Sequence, residues 1–461
     1  MQAGYDTGLN GKLGAVADMQ ENARNTIECD VLVVGGGPAG STVSTLMQRR
    51  GLKVLQLEKD HHPRFHIGES LLPANMPILE ELGVLEEVRS IGVLKLGADF
   101  PEEGDRYYTY RFGFSLGKTP PFAFQVKRED YDQILFRNAQ RNGVDAREGV
   151  KVDKVEIQPD RSCIAQATVE TGEKLTIKSR YLVDASGRDT LLGNALKIKV
   201  KNDKHQSAAI FAHFKGVARR PGDEAGNISI YRFDYGWSWF IPLSDGLMSI
   251  GCVCFPEYLK KRKGRTAEFL LETLKLMPGA AERTMNAEIV GETRVTGNYS
   301  YTCSRMSGPG YVMIGDAFAF VDPVFSSGVY LAMHSGKHAA ELVDRILKRP
   351  QEEQALQQAF EKRIRRGVRV FSWFIYRFNS PVMRSLFAAP RNWLKVEQGV
   401  ISMLAGDVFD SGPVMRRLHL FKAIYAATGL VNFRRWRADL RERKRQSASE
   451  FSGGTTPVDP R

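Results

Sequence analysis

The chain has 461 residues, 43% hydrophobic and 26% charged, enough for a sizeable core spread over more than one globular unit. Its longest apolar runs fall far short of a membrane-spanning helix. The five scattered cysteines argue against both a disulfide framework and a four-ligand zinc site, so no metal is expected. The formal net charge of +12 favours an acidic partner, but no nucleic-acid-binding module accompanies it and no nucleic acid is expected.

In chain order, Met1 to Glu28 mixes Gly, Asn, Asp and Glu without an apolar core, and reads as a disordered leader rather than a signal peptide. The expected compartment is therefore the cytoplasm. Cys29 to Gly35 is a short β-branched strand, followed by glycines, a helical stretch to Arg50 and a second strand from Lys53 to Glu58. Alternating patterns from Ile210 to Cys254 and from Ala287 to Tyr301 predict strands. Cys252 and Cys254 share one face there, as core residues do. Tyr311 to Gly315 predicts a further strand, Ser326 to Leu347 a helix, and the chain from Glu352 is helical up to a polar tail. Seven Lys/Arg crowd Arg434 to Arg445, a basic end suited to an acidic protein or an anionic membrane surface, or simply a solvated helix.

Gly35-Gly36-Gly37-Pro38-Ala39-Gly40 fits G-x-G-x-x-G between strand and helix. Gly35 makes the tight turn, Gly37 admits a pyrophosphate, and Gly40 lets helix pack on strand, with Pro38 and Ala39 opening the helix. Glu58 ends the second strand, where a carboxylate can hold a ribose hydroxyl. A chance glycine turn beside a surface Glu would have to reproduce the whole ordered set. Downstream, Gly315-Asp316 ends a buried strand with a carboxylate suited to a polyol such as ribitol, which favours FAD over NAD.

At these motifs the sequence resembles the flavoprotein group that includes para-hydroxybenzoate hydroxylase, geranylgeranyl reductases and flavin-dependent halogenases, from Asp30 to Leu347. The resemblance implies that Gly315 and Asp316 contact ribitol. It also implies that Asp184, in Asp184-Ala185-Ser186-Gly187-Arg188, belongs to a second cofactor fingerprint. Arg128 would lie beside the FAD, and Arg64, Ser70, Gly328 and Val329 would complete the cofactor set.

Trp237-Ser238-Trp239-Phe240-Ile241-Pro242 matches the W-x-W-x-I-P signature of the halogenase branch. On a strand both tryptophans share a face and can wall a cavity beside the flavin, with Pro242 and Phe325 in the same wall. Without the resemblance, two core tryptophans are the plainer account. Lys95, before Gly97-Ala98, matches the halogenase lysine that receives hypohalous acid; a lone loop lysine is ordinarily a solvated charge. Asp322 to Val329 precedes a helix whose backbone N–H groups can hold halide at Ser327-Gly328, or is an ordinary helix start. Tryptophan halogenases carry a glutamate where this chain has Phe325, which points to the branch acting on phenols and pyrroles.

The resemblance thus implies an α/β fold: a discontinuous FAD-binding Rossmann-like domain (about 29–75, 125–195 and 300–350) with an inserted β-rich substrate module (about 76–124 and 196–299) and a C-terminal helical region at 351–446. The expected activity is chlorination or bromination of a phenol or pyrrole, free or tethered to an acyl or peptidyl carrier protein. FAD would arrive reduced from a separate flavin reductase, with chloride or bromide as halide. An aromatic hydroxylase, an alkene reductase and a flavoprotein scaffold without halogenase chemistry are the alternatives; intact Lys95, Trp237 and Trp239 weigh against them.

Overall fold

The computed structural model describes residues 25–441 apart from 102–105, 203–205, 298–299, 389–391, 410, 435 and 438–439. The nucleotide-binding unit runs β1 (Thr26–Val34), α1 (Pro38–Gln48), β2 (Val54–Leu57), α2 (Arg128–Arg141), β3 (Asp145–Arg147), β4 (Lys174–Asp184), β5 (Tyr311–Met313) and α3 (Ser327–Lys348). Its strands lie in the order β5-β4-β1-β2-β3, each neighbouring pair parallel. Val31 to Val34 and Val54 to Leu57 are buried throughout, as continuous apolar strands covered on both faces must be. The strand begins before the expected end of the leader: Thr26 to Glu28 pair with Thr176 to Lys178, so backbone hydrogen bonds order residues whose side chains looked unstructured. The rest of that leader, residues 1–24, lies outside the described residues.

Backbone crowding sets the first turn. Gly35 has φ +114°, and a Cβ there would stand 2.3 Å from the Ala185 carbonyl oxygen. A Cβ on Gly40 would stand 2.0 Å from the carbonyl oxygen of Gly35. Helix α1 thus approaches β1 and the end of β4 as closely as backbone atoms allow, and only glycine permits it.

The second unit is a seven-stranded sheet in the order Glu288–Gly297, Ala208–Lys215, Met248–Cys254, Gly236–Pro242, Ile228–Phe233, Gly97–Pro101, Tyr107–Arg111. Ile228–Phe233 and Gly97–Pro101 run parallel, and this one pairing joins the two inserted stretches of chain. Alternation along Gly236–Pro242 sorts side chains between two cores. Trp237, Trp239 and Ile241 face the main core shared with the nucleotide-binding unit. Phe240 faces a second core with Phe214, Ile250, Cys252 and Cys254, capped by Phe269, Leu270 and Leu274 of the helix Thr266–Lys275. All five cysteines are buried and free.

The C-terminal region is helical (Glu353–Ile375, Pro381–Ala388, Val396–Leu404, Gly412–Val431) and is fastened by aromatic packing. Phe387 packs against Phe100 of the seven-stranded sheet and against Phe325 ahead of α3. The basic stretch noted after Phe433 lies largely outside the described residues. Among the described residues no helix is long and apolar enough to cross a membrane.

Gly40→Ala is expected to cost about 1–3 kcal/mol of stability, the usual penalty for overpacking a tight interior. Chemical unfolding of the purified variant beside the wild type measures it, and an equal midpoint would contradict the crowding described here.

Candidate active site

A cleft of about 660 Å3 opens at the C-terminal ends of the parallel strands, where open α/β sheets bind ligands. Gly35, Gly37, Pro38 and Ala39 line it from the first turn, and Ala185 to Asp189 from the turn after β4. A Cβ on Gly37 would meet nothing nearer than Arg64 at 3.9 Å, and one on Gly328 nothing within 4 Å, so both backbones face open space. The first turn therefore fits a pyrophosphate. Glu58 lines the same cleft; its Oε2 accepts the Gly36 N–H at 2.6 Å and its Oε1 that of Asp60 at 3.0 Å, which pins the carboxylate at the mouth of the turn.

The far end of the cleft is charged and buried. Arg128 holds Asp132 through two hydrogen bonds, 2.8 and 2.9 Å, and donates to the Ile67 carbonyl at 2.7 Å. The bidentate pair lies within α2 and orients Arg128, whose bond to the Ile67 carbonyl fastens the helix to the segment Arg64 to Ser70. Burial pushes the Asp316 carboxyl up to about 6, with Arg188 and Arg128 acting against it. Burial also pushes the His66 imidazole down to about 4, helped by Arg128.

A smaller cavity of about 90 Å3 adjoins the cleft; His66, Arg188, Asp316, Gly328 and Val329 line both. Trp237, Trp239 and Ile241 form its sheet wall, and Glu69 and Ser70 lie on another side. Trp239 is fixed by its own N–H, which donates to Ser249 Oγ at 3.1 Å. The cavity touches the start of α3 through Ser326, in the left-handed conformation at φ +55°, and through Gly328.

Lys95 lies behind Ser70. Its strand, Val93–Lys95, pairs with Ala123–Gln125, which also bridges to Ser70, so lysine and serine flank one short strand. The side chain is 1% exposed. Its amine donates to Ser70 Oγ at 2.9 Å and to the Leu71 carbonyl at 3.0 Å, and sits 5.3 Å from the centre of the Phe112 ring. Desolvation pulls this amine down to about 7. At neutral pH it is then divided between ammonium and free amine.

The sequence-predicted residues fall into three groups. Gly35, Gly37, Pro38, Ala39, Glu58, Arg64, Arg128, Asp316, Gly328 and Val329 line the large cleft, and Trp237 and Trp239 the small cavity. Gly40 and Gly315 shape backbone without lining either. Asp184, Ser70, Ser327, Pro242 and Phe325 stand elsewhere than expected. Asp184 is fully buried, accepting the N–H groups of Ser186 and Leu192; it folds the turn that lines the cleft instead of facing it. Ser70 serves the amine of Lys95 and lines the small cavity, not the cleft. Ser327 and Pro242 are buried and line neither cavity, and Ser326 takes the place beside Gly328. Phe325 turns away, 5.4 Å edge-on to Phe378 and stacked on Phe387, because the C-terminal helices offer it an aromatic core.

Three residues escaped sequence reasoning. His66 and Arg188 line both cavities, and Glu69 lines the small one and pairs with His213 across 2.6 Å. The Gly68-Glu69-Ser70 and Ser186-Gly187-Arg188 runs were the available signals, flanking residues already singled out.

The sequence model of the tryptophan halogenase family matches residues 30–121 and 114–384. A tryptophan 2-halogenase of Chondromyces crocatus is 39% identical over 324 residues, 69% of this chain and 61% of that protein. The 1H-pyrrole-2-carbonyl peptidyl-carrier-protein chlorinase of Pseudomonas fluorescens is 30% identical over 86% of this chain and 93% of its own. Among solved structures, the myxobacterial chondrochloren halogenase superposes with TM-score 0.73 at 32% identity, covering 85% of this chain and 96% of that one. A flavoprotein from Cytophaga hutchinsonii superposes with TM-score 0.81 at 28% identity, covering 88% of this chain and all of its own.

The buried amine has a thermodynamic signature. A lysine whose folded value lies near 7 destabilises the fold fully below that pH, and the cost is relieved as pH rises from about 7 toward the unfolded value of about 10.4. Lys95→Met is expected to exceed the wild type in stability at pH 6 by more than about 1.4 kcal/mol, the free energy of a tenfold change in proton affinity. The gap should close toward pH 10. Urea unfolding at several pH values measures it, and a gap independent of pH would place the amine in water.

Proposed function

The chain belongs to the tryptophan halogenase family of flavin-dependent halogenases, and on that premise we propose that it chlorinates or brominates an electron-rich aromatic ring. The single observation carrying this reading is the buried amine of Lys95 hydrogen-bonded to Ser70, which lines a tryptophan-walled cavity adjoining the dinucleotide cleft. When bound, reduced FAD supplies the electrons that let oxygen oxidise halide to hypohalous acid. Gly35, Gly37, Glu58 and Arg64 would hold its nucleotide half, and Asp316, Arg128, Gly328 and Val329 the region of the flavin. The N–H groups of Ser327 and Gly328 at the start of α3 are suited to halide.

The chain then has three tasks. Trp237, Trp239 and Ile241 exclude water from the small cavity and position the ring against the halogen donor. Lys95 binds hypohalous acid by hydrogen bond, or takes the halogen on its free amine, which keeps the reagent from escaping. Ser70 and the Leu71 carbonyl hold the amine at that post.

For the substrate we favour a single-ring phenol or pyrrole. The small cavity, about 90 Å3, lies below the roughly 150 Å3 that accepts benzene, so even a single ring requires the walls to move and a fused indole requires more. The carrier-protein relative aligns over nearly its whole length, whereas the relative named for tryptophan is matched over 61% of its own. A carrier-tethered substrate also suits the net charge of +12, since carrier proteins are acidic. Reduced flavin would come from a separate reductase.

Incubation with reduced FAD, oxygen, bromide and a reactive phenol, followed by mass spectrometry, tests the reading; oxygen consumed with hydroxylated product only would establish a hydroxylase instead. Lys95→Ala is expected to bind FAD within about twofold of wild type yet lose about 100-fold or more of halogenated product. Lys95→Arg should fail as well, because a guanidinium neither releases its proton nor offers a free amine. Flavin reoxidation followed by stopped flow, beside product yield, separates lost halogenation from lost cofactor. Halogenation by Lys95→Ala at the wild-type rate would sink the assignment.

A further inference from the structure

Electrophilic halogenation must dispose of a ring proton, and Lys95 is occupied with the halogen donor. The small cavity is lined by a buried carboxylate, Glu69, 1% exposed and adjacent in sequence to the serine that holds Lys95. Its Oε1 pairs with His213 Nε2 at 2.6 Å. Its Oε2 is buried and receives no hydrogen bond from any described residue. Two other buried carboxylates are satisfied at both oxygens, Asp132 by Arg128 and Asp184 by two backbone N–H groups. A carboxylate kept only for packing would be expected to follow that pattern, since a buried acceptor left without a donor is a net cost to the fold.

His213 supplies the other half of the device. It stands on Ala208–Lys215, on the sheet face turned to the nucleotide-binding unit, with its ring beside Phe65. Its side chain is 21% exposed. The pair therefore has a dry end at the cavity and a wetted end at the surface, which is the arrangement a proton needs in order to leave. Asp316 also lines the cavity, but it sits at the junction with the cleft, beside Arg188 and Arg128 and without a histidine partner.

Resting on the halogenation reading above, we propose that Glu69 is the catalytic base for the ring proton and that His213 relays that proton to solvent. The ring carbon attacks the halogen of hypohalous acid; the C–X bond forms as the O–X bond breaks, and its electron pair leaves on oxygen. That oxygen takes a proton from the Lys95 ammonium and departs as water. The ring C–H bond then breaks, its electrons restore aromaticity, and the proton passes to Glu69 Oε2. His213 carries a proton outward, and solvent returns one to Lys95. The sum is ArH + HOX giving ArX + H2O.

The test compares wild type with Glu69→Gln, using resorcinol with its ring positions protonated or deuterated, reduced FAD, oxygen and bromide. In the wild type, proton loss follows halogen transfer quickly and the deuterium isotope effect stays near unity. Glu69→Gln should bind FAD as the wild type does, by flavin fluorescence, while bromination falls about 100-fold, the range of a lost general base. Its isotope effect should become primary, because breaking the C–H bond is now slow; a packing role alone would leave it unchanged. Wild-type turnover with an isotope effect near unity in Glu69→Gln overturns the proposal. If Glu69→Gln loses FAD binding, His213→Gln decides: slowed bromination with an isotope effect above unity supports the relay, and an unchanged rate overturns it. A wild type that brominates nothing in this assay would count against the halogenation reading itself, a result distinct from any difference between variants.

Discussion

One amine is kept out of water where the two sheets meet. Lys95 is held by two neutral acceptors, a serine hydroxyl and a backbone carbonyl, and among the described residues its amine has no carboxylate partner. A carboxylate would stabilise the ammonium and remove the free amine at neutral pH. Neutral acceptors fix the position of the nitrogen without fixing its charge. The fold accepts the cost of desolvation there because the short strand Ala123–Gln125 locks the lysine strand on one side and the Ser70 segment on the other.

That lock matters because the Ser70 segment also belongs to the nucleotide-binding unit. Arg128 donates to the Ile67 carbonyl and grips Asp132 on the same helix, so the stretch from Arg64 to Ser70 runs from the mouth of the first turn to the amine. Of the five residues common to both cavities, His66 lies on this stretch, and Arg188, Asp316, Gly328 and Val329 come from the turns after β4 and β5 and the start of α3. A cofactor in the cleft and a ring against Trp237 and Trp239 would then face the same few side chains. The two cavities are brought together by the joining of two sheets.

The charged groups divide between the two cavities. Asp316, with Arg188 and Arg128 near it, lines both. Glu69, paired with His213 on the sheet, lines only the small one. The C-terminal helices take no direct part in either cavity; they draw Phe325 into an aromatic core with Phe378 and Phe387. Phe325 therefore does not line the small cavity of this chain.

What was legible in the sequence was local. Turn glycines at fixed spacing, a carboxylate at the end of the second strand and two tryptophans on one strand face are properties of a few neighbouring residues, because sterics and pleat act over that range. They sufficed for the FAD-type fold and for most of the cleft lining. The partners of buried polar groups were not legible, since hydrogen bonds and desolvation depend on which distant segments meet. Lys95 reaches across 25 residues to Ser70, and Glu69 across 144 to His213. Asp184 carried the motif of a cofactor ligand yet spends both oxygens on its own turn. Sequence thus determined which chemistry-bearing residues the chain has and on which elements they ride; only the packing of one sheet on the other decided which became dry, which stayed unpaired and which faced the cavity.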